Sequence, residues 1–279
     1  MFLPPRSSTT LTDMKQEILS YLKAECPWGD TLLWHNSTDS TNTQAKLLAR
    51  QGAPHGTVVL AGKQTAGRGR LGRSFDSREG MGVYLSLILR PNCKPEKLMH
   101  LTCAAGVAMC GAIVETAGIQ PQLKWINDLV FDRKKLGGIL TELSIDPETG
   151  LVDFAIVGIG INCRQTAEDF PPQLRDMAAS LSAVAGTDVS PARLAAAMVE
   201  ALWQMDKTLL TEKSRIMTAY KEHCITLGKD IQVLRGDTVR CGKAVDMDED
   251  GGLWVAFPDG SRELINSGEV SVRGMYGYL

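Results

Sequence analysis

The chain has 279 residues, 44% of them apolar and 22% charged, with a formal net charge of -2. That is enough chain for one large domain or a large domain with a small one, in the composition of an ordinary soluble globular protein. The near-neutral balance excludes a molecule that binds polyanions over its whole surface, so any basic cluster is a local device.

Seven cysteines (Cys26, Cys93, Cys103, Cys110, Cys163, Cys224 and Cys241) form no CxxC pair, and their number is odd. This speaks against a disulfide framework or zinc ribbon and for a reducing compartment. No signal-peptide core opens the chain and no later run approaches a membrane span, so the expected location is cytoplasmic.

Residues 1–10 carry Pro4, Pro5 and a Ser/Thr cluster and read as a frayed leader. Asp13 and Gln16 make a cap for a first helix carrying Ile18, Leu19 and Leu22 as far as Cys26-Pro27. Only about thirty residues precede the strand-like run Thr31–His35, too few for a complete helix-turn-helix domain. Asp39-Ser40-Thr41-Asn42 opens a second helix that runs through Ala45, Leu47 and Leu48 to Gly52. Ser40 and Thr41 are capping residue types, and a helix N-terminus also offers N–H groups to a ligand carboxylate or carbonyl.

The β-branched run Gly56–Lys63 then enters the segment around which the chain is organised, Gln64–Phe75, QTAGRGRLGRSF. Gly67, Gly69 and Gly72 alternate with Arg68, Arg70 and Arg73. Glycine disfavours helix and strand interiors, and the guanidinium groups repel one another unless an anion sits among them. Their planar forks and the exposed backbone N–H groups suit phosphate or carboxylate oxygens. A solvated loop or an Arg-Gly nucleic-acid patch is the alternative, which the balanced net charge disfavours. The strand Gly82–Arg90 leaves the loop, placing it at a sheet end.

Pro95–Gly118 is a long buried helix in which Cys103 and Cys110 serve packing. Two short strands follow, Gln122–Ile126 and Leu129–Phe131, separated by Asn127-Asp128 as a turn; Asp128 is either a turn residue or a functional one. Lys134 reads as a solvated charge. Lys135 stands at the mouth of a third strand, Ile139–Leu143, beside Gly137-Gly138. Residues 151–163 form another strand, whose Gly158 and Gly160 mark close backbone approach and which ends at Asn162. Their GxG lacks the third glycine of a dinucleotide fingerprint. Helical patterns cover Leu174–Val184 and Pro191–Thr211, continuing to Cys224. From Lys229 short alternating β patterns suggest a small barrel.

GRGRLGRSF, KWINDL, KKLGGILTEL and VGIGINC, in this order, resemble the motif set of the biotin protein ligases. The motifs span roughly residues 31–165, and the four together are far more specific than any one. The resemblance implies an α+β fold: a mixed β-sheet flanked by helices, of the class II synthetase-like or biotin-lipoate ligase kind, with a small C-terminal β-barrel. The expected divisions are 1–30 (leader and helix), 31–227 (catalytic) and 228–279 (barrel), in a short class without the DNA-binding domain of repressor-type members.

It also implies a reaction. Biotin's carboxylate is activated by ATP, with Mg²⁺ on the triphosphate, to biotinyl-adenylate, and a lysine of a biotin carboxyl carrier domain then attacks the anhydride. By resemblance Lys135, Arg70 and Asp128 are the catalytic residues, Asp128 orienting or accepting the lysine proton. Ser40, Thr41, Asn42 and Gln64 bind the biotin ring, with Gly67, Arg68, Gly69, Arg70, Lys135, Gly138 and Gly158 around it. Arg68, Arg70, Arg73, Phe75, Lys124, Asn127, Lys135 and Asn162 serve ATP and the adenylate. Phe75 stands where some members have Trp, and Ile126 where many have Pro. No dedicated metal cage is visible. The partner is a carrier protein rather than DNA or membrane, and the molecule a monomer or homodimer. The glycine-rich loop is expected to be disordered without ligand and to fold over the adenylate. The rivals are a lipoate or octanoate ligase and a nucleic-acid-binding module.

Overall fold

The structure, a computed structural model, describes residues 11–266 and 271–274; the leader expected at 1–10 lies outside them. Helix α1 (Leu11–Tyr21) precedes strand β1 (Leu32–His35), α2 (Thr41–Arg50), β2 (Thr57–Ala61) and β3 (Gly82–Leu89). Then come α3 (Leu101–Ala117), β4 (Gln122–Lys124), β5 (Asp128–Phe131), β6 (Lys134–Ile145) and β7 (Val152–Asn162). The seven strands make one sheet in the order β1-β2-β3-β7-β6-β5-β4, in which only β1 and β2 pair in parallel.

Every residue of β2 and β3 is buried, as apolar, β-branched runs require when a strand is covered on both faces. On one face α2 packs Ala45 and Ala49 against Val59, Ile88, Phe154 and Ile156. On the other lie α3 and three further helices, α4 (Leu181–Ala185), α5 (Pro191–Thr208) and α6 (Lys213–His223). Leu60, Leu85, Leu87 and Leu89 belong to that larger core, each fully buried side chain contributing roughly 1.5–3 kcal/mol. Pro95–Ala117 is apolar and long enough to cross a membrane by composition alone, contrary to the sequence expectation. Its place in this fold explains the composition, since α3 is the central helix, packed against α5, α6 and β6.

The C-terminal strands are β8 (Asp230–Arg235), β9 (Thr238–Met247), β10 (Leu253–Ala256), β11 (Arg262–Ile265) and β12 (Ser271–Gly274). They form an antiparallel sheet in the order β11-β10-β9-β8-β12, so among the described residues the pairing closes no barrel. This sheet shares the main hydrophobic cluster through Ile231, Val233, Leu253 and Val255. It is pinned by the indole N–H of Trp125, which donates to the Gly251 carbonyl at 2.8 Å.

Three local expectations are corrected. Asp128 is not in a turn but begins β5, paired with Lys124 on one side and Gly138 on the other. The helix expected over 174–184 is reduced to a single turn, Pro172–Leu174, followed by α4. Extended backbone intervenes because Lys135 donates to the Met177 carbonyl and Ala179 donates back to the Lys135 carbonyl, a pairing no helix can make. Finally, the long helix from Pro191 breaks after Thr208, where buried Leu209 gives its carbonyl to the His100 ring, and resumes as α6.

Candidate active site

The site is built on a floor without side chains. Gly138 of β6 lies opposite Gly160 of β7, and Leu140 opposite Gly158. Because alternate strand residues share a face, Gly158 and Gly160 open toward the same side. Each missing side chain makes room for something else. A Cβ at Gly158 would fall 1.8 Å from Asn42 Oδ1, and one at Gly160 would fall 2.7 Å from the Phe75 ring. At Gly138 it would stand 3.3 Å from Lys135 Nζ and 3.6 Å from Asp128 Oδ1.

At one end of the floor is the start of α2. Ser40 occupies the N-cap position in extended conformation, yet its side chain makes no capping hydrogen bond. The Asp39 carboxylate instead takes the Ser40 N–H at 2.6 Å and the Gln44 amide at 2.9 Å. Capping thus does not account for Ser40. The Thr41 N–H and hydroxyl both donate to Gln64 Oε1, at 2.8 and 3.1 Å, and Gln64 Nε2 donates to Ser77 at 2.7 Å. Asn42 Nδ2 donates to the Leu140 carbonyl at 3.3 Å and to Glu142 at 3.0 Å, while its Oδ1 lies 2.6 Å from the Ser86 hydroxyl. All these groups are drawn onto one wall because Thr65 and Ala66 donate backbone hydrogen bonds to Thr38 and Asp39.

The Gly/Arg segment folds back on itself over this floor. Gly69 N–H donates to the Arg73 carbonyl at 2.7 Å and Phe75 N–H to the Gly67 carbonyl at 2.9 Å. Its tip is a short turn, Arg70–Gly72, in which Leu71 takes φ 54°, a left-handed conformation that costs a non-glycine residue about 1 kcal/mol or more. Gly67 is required at its position, because a Cβ there would meet the Phe75 carbonyl at 2.4 Å.

The cations divide. Arg70, half-buried, donates to Asn127 Oδ1 at 3.0 Å; burial lowers its pKa, and the charge of Arg73 adds to the effect while Asp128 opposes it. A guanidinium remains protonated at neutral pH regardless. Lys135 Nζ donates to Asp128 Oδ1 at 2.6 Å, with side-chain exposures of 29% and 17%. Arg68 is held instead by Glu142.

The opposite wall comes from the segment paired to Lys135: Phe170, Leu174, Met177 and Ala178. Together these parts enclose a cavity of about 740 Å³, within the range of small-ligand sites. It is lined by Ser40, Thr41, Asn42, Gln64, Arg68, Gly69, Arg70, Arg73, Phe75, Lys124, Asn127, Asp128, Lys135, Gly138, Gly158 and Asn162. Of the residues the resemblance assigns to the site, Gly67 alone does not line it; it allows the close approach to the Phe75 carbonyl instead. Sequence reasoning missed Glu142, the Phe170–Ala178 wall, and Trp125, which lines the cavity while holding the C-terminal sheet. Gly160 was noticed only as a close-approach glycine; its partner is Phe75.

Residues 34–162 match the biotin/lipoate A/B protein ligase family, and residues 226–273 match the biotin protein ligase C-terminal domain. The bifunctional ligase/repressor BirA of Bacillus subtilis is 36% identical over 254 residues, 91% of this chain and 77% of that protein. The biotin--[acetyl-CoA-carboxylase] ligase of Paracoccus denitrificans is 30% identical over 85% of this chain and 98% of its own. Among solved structures, a biotin protein ligase from Aquifex aeolicus in complex with biotin and ATP superimposes with a TM-score of 0.71. That match is 32% identical and covers 87% of this chain and 98% of the other.

Proposed function

Because the chain belongs to the biotin protein ligase family, we propose that its cavity joins biotin to ATP as biotinyl-adenylate and passes the biotinyl group to a lysine of a carrier domain. One observation carries this reading: a single cavity runs from the neutral donors and acceptors of Ser40, Thr41, Asn42 and Gln64 to the cations Arg70 and Lys135. The first end suits a cyclic urea, which needs both donors and acceptors; the second suits a carboxylate meeting a phosphate.

In the first step a carboxylate oxygen of biotin attacks the α-phosphorus, the bond to the bridging oxygen breaks, and pyrophosphate leaves. Two anions repel at that contact, and Arg70 and Lys135 lower the repulsion from fixed positions. Asp128, at 2.6 Å from Lys135 Nζ, holds the ammonium in place during this step. Phe75 against Gly160, with Asn162 and the Phe170–Ala178 wall, forms the pocket for the adenosine part. In the second step the carrier lysine amine, having lost a proton, attacks the acyl carbon; the C–N bond forms and AMP departs with the C–O electrons. Asp128 is the acceptor for that proton. Mg²⁺ would enter on the triphosphate, held chiefly by phosphate oxygens and water and offsetting the phosphate charge, with the Asp128 carboxylate, which lines the cavity, as a hard oxygen that would help to hold it.

The test is pyrophosphate release that requires biotin and ATP together, alongside thermal-shift titration with biotin and with lipoate. Release with biotin and stabilisation by biotin alone support the reading. Release driven by lipoate would assign the chain to the other branch of the family.

A further inference from the structure

We propose that Glu142 is a positioning residue that latches the Gly/Arg loop shut and orients Asn42 at the same time, so that loop closure and recognition of the biotin ring are one event. The proposal rests on the reading above and extends it to a residue outside the groups already assigned to the ligands.

Glu142 projects from β6 on the face it shares with Gly138 and Leu140. Its carboxylate gathers three side chains from two elements. Lys46 of α2 reaches Oε1 at 2.6 Å, Arg68 of the loop spans both oxygens at 3.1 and 3.3 Å, and Asn42 of α2 reaches Oε2 at 3.0 Å. Lys46 and Asn42 are four residues apart, on one side of the helix. All the carboxylate's principal acceptor directions are therefore in use.

Two consequences follow from this geometry. With Nδ2 committed to Glu142 and to the Leu140 carbonyl, the Asn42 amide cannot turn over without setting its oxygen against a carboxylate. Its Oδ1 stays beside Ser86 with a lone pair left for a ring N–H. Arg68, 44% exposed, is the one loop cation bound to Glu142, which is itself 17% exposed. When the loop opens, Arg68 departs but Lys46 remains on the carboxylate. Opening therefore strands no unpaired charge in the site, which makes the latch reversible.

The experiment is limited trypsin digestion of the full chain, read at Arg70 and Arg73, with Glu142→Gln, Arg68→Ala and the double variant. The glutamine keeps the shape and an acceptor for Asn42 but not the ion pair. Glu142→Gln and Arg68→Ala should each raise the loop cleavage rate about tenfold, the loss expected for one charge-assisted hydrogen-bonded pair. The double variant should cleave no faster than either single one, because both remove the same contact. In pyrophosphate release, Glu142→Gln should raise KM for biotin while leaving kcat nearly unchanged. Cleavage of Glu142→Gln at the parental rate, or effects of the two substitutions that multiply, would overturn the latch. The digestion needs no ligand, so it decides the latch even if the parent releases no biotin-dependent pyrophosphate, a result that would fail the functional reading instead.

Discussion

Asn42 and Gly158 share one space: the amide oxygen stands 1.8 Å from where a Cβ on residue 158 would lie. Asn42 is also buried, with 4% exposure, and bonded on both ends of its amide. It cannot step aside without breaking those bonds. Gly158→Ala therefore acts as a displacement of Asn42 rather than as a change in the strand. The expected outcome is a KM for biotin raised at least about tenfold, as for the loss of a buried hydrogen-bonded group, with KM for ATP little changed. Kinetics of pyrophosphate release under varied biotin and varied ATP check this, and equal effects on both substrates would contradict it.

Lys135 and Asp128 allow the two steps to be separated. Removing the ammonium in Lys135→Ala should lower biotin-dependent pyrophosphate release about 10²–10³-fold, the usual effect of deleting one preorganised electrostatic group. Asp128→Asn retains Lys135 but weakens its anchor and abolishes the proposed proton acceptor. Adenylate formation should fall less than transfer to a carrier lysine. Rapid-quench measurement of adenylate and of biotinylated carrier distinguishes the two. A variant slowed equally in both steps would leave Asp128 as an anchor only.

Arg70 sits at the turn of the loop with its guanidinium on Asn127. Arg70→Gly removes both a cation proposed to lie beside the adenylate and a tether of the loop. The adenylate should escape and label bystander lysines, detected as biotinylation of an added inert protein above the parental level. In the parent, biotin with ATP should protect the loop from protease; a cleavage rate unchanged by the two ligands would remove the lid from the mechanism.

The motif positions were legible because glycine and arginine betray backbone approach and anion binding without any tertiary information. The central sheet was legible from the apolar runs at residues 57–61 and 82–89. What stayed hidden depended on partners distant in sequence. Glu142 reads as an unremarkable polar residue in LTEL until Lys46 and Arg68 converge on it. From Leu174 the Phe170–Ala178 wall follows a helical pattern locally, yet pairing with Lys135 keeps part of it extended. Asp128 sits in a sequence that suits a turn, and only the strands on either side place it in β5.

Acid should release the latch. Burial alone would raise the pKa of Glu142, but the hydrogen bonds from Lys46 and Asn42 and the charges of Lys46 and Arg68 outweigh it, so the carboxyl lies below its ordinary value of 4.5. The folded protein consequently binds fewer protons at this site than the unfolded chain does. The stabilisation is complete above the ordinary value and is lost as pH falls through the lower folded one. The difference in unfolding free energy between the parent and Glu142→Gln, from urea titrations, should stay constant from about pH 8 to about pH 6 and shrink below about pH 4. Loop cleavage by an acid-active protease should rise in the parent over that acid range and change little in the variant. A difference that disappears already near neutrality would mean that another group carries the effect, and one that persists unchanged in acid would mean that the carboxylate's charge is not what holds Arg68.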